Sequence, residues 1–221
     1  MQDYVERIAT CIARGKVSRS AWYPPEMKDQ DGADEIAADA LKQGLQPEVL
    51  LQGCMVGMDR IGKDFSEKKA FVTNLVISGV AMNAVLKHIK PFLQSGEVKR
   101  KGIFVIGTVT GDLHDIGKNL ISMIITGGGF EVIDLGVDVP TKKFLDALAA
   151  HPGCFVGLSA LLTTTMPTMG NSVGAIKKAY PDTKVLIGGG PITGDFCTRI
   201  GADFYSPNPH DAVEYLNRNV T

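Results

Sequence analysis

The hydrophobic period of this chain changes once, near residue 100, and that change decides what it can fold into. Before it, apolar residues recur at helical spacing. Leu50, Cys54, Met58, Ile61 and Phe65 follow Pro47, which suits a first helical turn, and a second stripe runs Val72, Leu75, Val76, Gly79, Met82, Leu86, Ile89 and Leu93. Shorter helical patterns occupy 4–13 and 34–45, the latter closed by Gly44. Together they predict a four-helix bundle over residues 1–93. The stretch 16–33, with Trp22-Tyr23-Pro24-Pro25, has no period and reads as loop or extended chain. Residues 94–102 (QSGEVKRKG) are polar and read as a linker.

Beyond the linker, short β-rich runs at 103–108, 131–134, 154–158, 184–187 and 203–205 alternate with helical stretches at 117–126, 141–150, 165–179, 192–200 and 210–217. Several of those runs are wholly apolar, as strands buried on both faces are. The expectation for 103–221 is a doubly wound, flavodoxin- or Rossmann-like domain with a five-stranded parallel sheet. The fold class is therefore α + α/β.

Composition excludes several classes of function. With 44% apolar residues and 23 basic against 24 acidic side chains, the chain is neither disordered nor patterned for nucleic acid. No apolar run approaches the roughly 18 residues of a membrane span, and the N-terminus lacks the apolar stretch of a signal peptide. Cys11, Cys54, Cys154 and Cys197 are far apart and form no C-x-x-C pair, which predicts reduced thiols in a cytoplasmic protein.

In a sheet of this kind ligands bind beyond the carboxyl ends of the strands. Three such ends carry unusual residues here: Gly107 to Lys118 after the first strand, Ser159 to Pro167 after the third, and Gly188 to Thr193 after the fourth. The first is not a familiar phosphate loop, because G-x-G-x-x-G is absent and Asn119 follows Lys118. It offers an imidazole, His114, with carboxylates at Asp112 and Asp115. An imidazole binds a transition metal through one nitrogen when the other donates to an acceptor, and Asp112 is placed to accept. The remaining histidines (His88, His151, His210) lack ligand spacing, so a lone imidazole implies a metal already held by something else, such as a macrocycle. The plain alternative makes Asp112 or Asp115 a helix cap and His114 a surface residue. It leaves unexplained why Gly107, Ser159, Ala160, Gly188 and Gly189 strip bulk from three strand ends at once, and a deep slot accounts for that.

Asp112-x-His114-x-x-Gly117, 41 residues, Ser159-x-Leu161, 26 residues and Gly188-Gly189 resemble the cobalamin-binding signature D-x-H-x-x-G…S-x-L…GG. The whole chain resembles the corrinoid proteins of methyltransferase systems and, through them, the cobalamin-binding module of methionine synthase. The resemblance implies a cobalamin or related corrinoid as cofactor. It implies His114 as lower axial ligand to cobalt, with Asp112 bonded to its other nitrogen and shifting a proton through the cobalt cycle. Gly111, Asp112, Leu113, His114 and Asp115 would lie along the lower corrin face, Ile116 beside them, and Gly117 would turn the chain into its helix. Ser159, Leu161, Thr163, Gly188 and Gly189 would line the slot for the displaced nucleotide tail, and Tyr205 and Ser206 would close it. The helical part would cap the upper face, with Phe65, Phe71, Val72 and Met82 as candidate contacts.

The function so implied is a methyl carrier. It would shuttle a methyl group from a substrate-specific methyltransferase to a second methyltransferase acting on a folate or thiol, with a corrinoid-reactivating protein as a further partner. The same loop in a carbon-skeleton mutase subunit is the competing reading, but such a subunit needs no helical cap. A cobalamin-sensing regulator would need a DNA-reading helix, and a phospho-receiver an aspartate where this chain has Ser159.

Overall fold

The computed structural model describes residues 2–95, 99–205 and 207–220. Of the expected linker, residues 96–98 lie outside the described residues, as does the site candidate Ser206. The chain divides into two compact units, residues 1–100 with 127–129, and residues 101–126 with 130–221.

The first unit is built of helices α1 (Gln2–Arg14), α2 (Ala33–Lys42), α3 (Pro47–Ser66) and α4 (Val72–Ser95). α1 buries Ile8 and Ile12 on one face, with Asp3 in its first turn and Arg14 in its last, both favourable to the helix dipole. Those isoleucines pack on α3 at Gly53 and Gly57. A Cβ built on Gly53 would fall 2.7 Å from Ile8, and one on Gly57 2.7 Å from Ile12, so the two helices meet where α3 has no side chain. Arg60 forks onto the Glu6 carboxylate at 2.8 and 2.7 Å, and His88 Nε2 lies 2.7 Å from Asp34 Oδ1, joining α4 to α2. The stretch 16–33 is a loop whose ends meet, the Ala33 and Asp34 amides donating to the Lys16 and Val17 carbonyls. Lys16 is fully buried and donates to the Ala21 carbonyl at 2.8 Å. α4 corrects one expectation from composition: over Val72–Leu93 its mean hydropathy of 1.3 and its length meet those of a membrane span. Leu75, Met82, Val85 and Ile89 on it are nonetheless buried, as on the core helix of a folded domain.

The second unit is a parallel sheet of β1 (Ile103–Thr108), β2 (Glu131–Asp134), β3 (Phe155–Ser159) and β4 (Val185–Gly188), in the order β2-β1-β3-β4. Its helices are α5 (Ile116–Gly127), α6 (Thr141–Ala150), α7 (Met166–Ala179), α8 (Gly194–Ile200) and α9 (Pro209–Asn219). One sheet face packs Val105, Val156, Val185 and Ile187 against Phe144, Met169, Val173 and Phe196 of α6, α7 and α8.

The expected fifth strand at 203–205 is not a strand, and among the described residues the sheet has four. Among the described residues it meets β4 at a single parallel bridge, Leu186 to Phe204, with the Asp203 and Phe204 amides on the Val185 carbonyl and the Ile187 amide on the Phe204 carbonyl. The reason lies in Asp203. Its carboxylate accepts the Val185 amide at 2.7 Å and the Lys177 ammonium at 2.5 Å, so a side chain takes up a backbone donor that a ladder would pair. Pro207 and Pro209 then supply no amide to continue one.

Register places three strand ends side by side, since Thr108 pairs with Ser159 and Ser159 with Gly188. The chain runs from β1 outward to β2 and then returns past β1 to β3. The loops leaving β1 and β3 therefore part at a topological switch point, where open α/β sheets leave a crevice.

Candidate functional site

The loop leaving β1 is fastened on both sides. The Val109 amide donates to the Ser159 carbonyl (3.0 Å), and the Val139 amide to the Thr108 carbonyl (2.9 Å). The reversal itself falls at Gly111, whose φ of 87° is open to glycine and strained for other residues. Its amide donates to Asp138 Oδ1 at 2.8 Å, and the Asp138 amide returns to the Asp112 carbonyl at 3.0 Å. Gly117, expected to make the sharp turn, is an ordinary helical residue of α5 with open space where a Cβ would stand.

This geometry carries the Asp112 side chain inward, to 0% exposure, and His114 outward, to 51%. Asp112 Oδ1 accepts His114 Nδ1–H at 2.7 Å and the His114 amide at 3.1 Å. Asp112 Oδ2 accepts the Leu161 amide (2.7 Å) and the Leu162 amide (3.1 Å), with Thr165 Oγ1 at 3.0 Å. Burial pushes the carboxyl up, but the bonds from the His114 side chain and from the Leu161, His114 and Leu162 amides outweigh it and hold the group well below the usual carboxylate range. Asp112 is thus an anion that joins the β1 loop to the β3 loop. It holds a proton on Nδ1, which leaves Nε2 as the nitrogen that faces outward.

Around that nitrogen the loops present apolar side chains to the surface: Leu113, Ile116, Leu161 and Leu162, the first two more than 70% exposed. Such a patch beside an oriented imidazole suits a large, partly apolar ligand. Asp115 immediately precedes α5, where its carboxylate accepts from the Asn119 side chain at 3.0 Å and its carbonyl from the Asn119 amide at 2.7 Å.

Behind the loops a cavity of about 400 Å³ opens over the other face of the sheet, between α5 and the segment leading into α9. Gly117, Ser159, Gly188, Gly189 and Tyr205 line it. Gly189 has a φ of 134°, and a Cβ there would lie 1.7 Å from the Ala160 carbonyl oxygen, so only glycine fits. Leu161 and Thr163 do not line the cavity: both are exposed in the β3 loop, and Leu161 acts through its amide on Asp112.

Three participants escaped the sequence reading. Thr165 is buried against Asp112, although nothing in the threonine run distinguishes it from Thr163. Gly157 is in the cavity floor, and its signal was available, since it stands two residues before Ser159 and so on the same face. Lys118, dismissed as a phosphate lysine, is 3% exposed, with its stem in the cavity wall and its ammonium on the Asp134 and Asn119 side chains.

Among the described residues no three of His, Cys, Asp and Glu gather as a metal cage. His114 suits a metal that brings its other ligands with it, and the apolar rim and the deep cavity suit the plane and the tail of such a group. Of the helical candidates for the opposite face, Phe71 and Val72 are exposed, Phe65 is half-buried and Met82 is fully buried.

Known proteins resemble this chain over most of its length. Models described as B12 binding domains match residues 102–214 and 28–90. Trimethylamine corrinoid protein 1 of Methanosarcina mazei is 36% identical over 190 residues, 84% of this chain and 88% of that protein. Dimethylamine corrinoid protein 1 of Methanosarcina acetivorans is 37% identical over 181 residues, 80% of this chain and 85% of that protein. The methanol:cobalamin methyltransferase complex MtaBC of Methanosarcina barkeri contains a chain that superposes with a TM-score of 0.79 at 26% identity, covering 99% of this chain and 80% of that one.

Proposed function

This chain belongs to the B12-binding corrinoid proteins, and we propose that it is a methyl carrier of a methylamine-type methyltransferase system, holding its corrinoid through His114. When bound, the cofactor supplies a cobalt that accepts and gives up a methyl group. His114 would hold that cobalt through Nε2, the nitrogen not bonded to Asp112. Asp112 keeps the Nδ1 proton in place and takes a larger share of it as the demand on the imidazole changes. Gly111 and the exposed side chains of Leu113 and Ile116 would lie against the cofactor's ring, and the cavity lined by Gly188, Gly189, Ser159 and Tyr205 would take its nucleotide tail. Residues 1–93 act as a cap that keeps water from the reacting face, with 94–102 as the linker. The partners are a substrate-specific methyltransferase, an acceptor methyltransferase using a folate or thiol, and a reactivating protein.

The observation that carries this reading is the single outward Nε2 of an imidazole whose other nitrogen is committed to a buried carboxylate. A helical unit over residues 1–100 with 127–129 and likeness to corrinoid proteins over most of the chain favour the carrier over a mutase subunit. The test is the visible spectrum after mixing with methylcobalamin and removing free cofactor. Retained cofactor in a base-off, histidine-on state supports the assignment. His114→Ala should fold normally, because the side chain is half exposed, yet change the axial spectrum. An unchanged spectrum would refute the ligand.

A further inference from the structure

The cavity changes chemical character with depth. Its floor is made by alternate residues of β1, β3 and β4, which share one face of the sheet. At the carboxyl edge this floor carries Ser159 and Gly188. One pleat deeper, about 7 Å by strand geometry, the register brings Ile106, Gly157 and Leu186 into line. Phe104 stands one pleat deeper again, with Phe204 and Leu120 in the walls. The polar side chains of the lining, Lys118, Ser159, Tyr205 and Asn208, all belong to the mouth: strand ends, the first turn of α5, and the segment entering α9. Two of them are already engaged. Lys118 is held by Asp134 and Asn119, and Asn208 donates to Asp211 at 2.7 Å and accepts from the His210 amide. At the deep end the strand amides and carbonyls are committed to the ladder.

We propose that this deep end selects the base on the cofactor's tail, favouring a cobamide with a benzimidazole base over one with a purine. The inference rests on the reading that the tail enters this cavity while His114 takes the place of its base. A dimethylbenzimidazole presents methyl groups and a benzo edge to Ile106, Leu186, Phe104 and Phe204, which bury well. Adenine presents an exocyclic amine and ring nitrogens that would lose water and find no side-chain partner there. An unpaired polar group in such a site corresponds to about 10- to 100-fold weaker binding. Gly157 shapes this end indirectly: a Cβ there would fall 2.5 Å from the Phe104 ring, so the glycine lets that ring lie against the floor.

The experiment is a spectrophotometric titration of the full-length apoprotein with cobalamin, an adenine-bearing cobamide (pseudocobalamin) and cobinamide, which has no nucleotide. Cobalamin should bind tightest, the adenine cobamide about 10- to 100-fold weaker with the same histidine-on end spectrum, and cobinamide more weakly than cobalamin. Equal affinity for the two cobamides, both histidine-on, overturns the base selection and leaves the carrier reading standing. Retention of none of the three overturns both. Ile121→Gln, at a half-buried position of α5 in the cavity wall, offers an amide partner and should narrow the ratio several-fold; an unchanged ratio in that folded variant would also overturn the assignment.

Discussion

Replacing Asp112 by Asn removes one charge and almost no volume, and it tests the centre of the site. The carboxylate faces only donors: His114 Nδ1–H and the His114 amide on one oxygen, and the Leu161 and Leu162 amides with Thr165 Oγ1 on the other. An amide can satisfy one of these groups but not both, because whichever way it is turned its NH2 meets donors. Charge-assisted bonds contribute about 1.5–3 kcal/mol each and are not additive here, so a loss of about 3 kcal/mol is the reasonable expectation. In a domain of this size that lowers Tm by on the order of 10 °C. The pH dependence has a definite sign. A carboxyl whose folded pKa is depressed stabilises the fold above its unfolded pKa of about 3.9, and that contribution is lost as pH falls toward the folded value. The gap between wild type and Asp112→Asn, measured by urea unfolding, should therefore be full at neutral pH and shrink steadily below about pH 4. Nitrogen chemical shifts of His114 should show a protonated Nδ1 in the wild type and a mixture of tautomers in the variant. A variant as stable as wild type at neutral pH, or a gap that ignores pH, would refute the reasoning.

Gly189→Ala should abolish soluble folded protein or cost more than about 3 kcal/mol, whereas Gly117→Ala should leave unfolding unchanged and weaken corrinoid binding, because its Cβ meets nothing but cavity. Circular dichroism and cofactor titration separate the two, and equal effects on folding would contradict the steric account. Gly57→Val pushes a branched side chain into Ile12 and the Ala9 carbonyl, so α1 must leave α3, with an expected cost of about 2–4 kcal/mol in thermal unfolding. Burial pushes the Cys11 and Cys154 thiols up to about 11 and Cys54 up to about 12, so a thiol reagent at pH 8 should label the native protein over hours and the unfolded protein at once. Labelling of the native protein within seconds would contradict their burial.

What could be read in the sequence follows the range of the forces involved. The helices and the four strands were legible because burial imprints a period on them, and the elements found lie within a few residues of those expected. The segment 203–205 has a similar apolar signature. Its exclusion from the sheet depends on the Asp203 carboxylate reaching Val185 and Lys177, a long-range contact that no local pattern carries. The Asp112–His114 pair was legible because two residues in a tight loop can meet only one way. Leu161 and Thr163 were read by residue type, yet the β3 loop contributes the Leu161 and Leu162 amides and the Thr165 hydroxyl, and backbone donors leave no mark on a sequence.

The same contact explains how a histidine on a loop can still be held firmly. Alone, a half-exposed imidazole would sample several rotamers, and a ligand binding one of them would have to restrict it. Asp112 removes that freedom through bonds whose other ends belong to the loop after β3, itself anchored where Val109 meets Ser159 across the sheet. The orientation of the imidazole is therefore set by the pairing of β1 with β3. The anionic Asp112 holds a proton on Nδ1, which leaves Nε2 as the nitrogen that faces outward. A glutamate at 112 would keep the charge but add a methylene to a fully buried side chain, displacing either the imidazole or the Leu161 and Leu162 amides. The pairing thus requires the shorter acid, which is why Asp and His two residues apart carry more information than either alone.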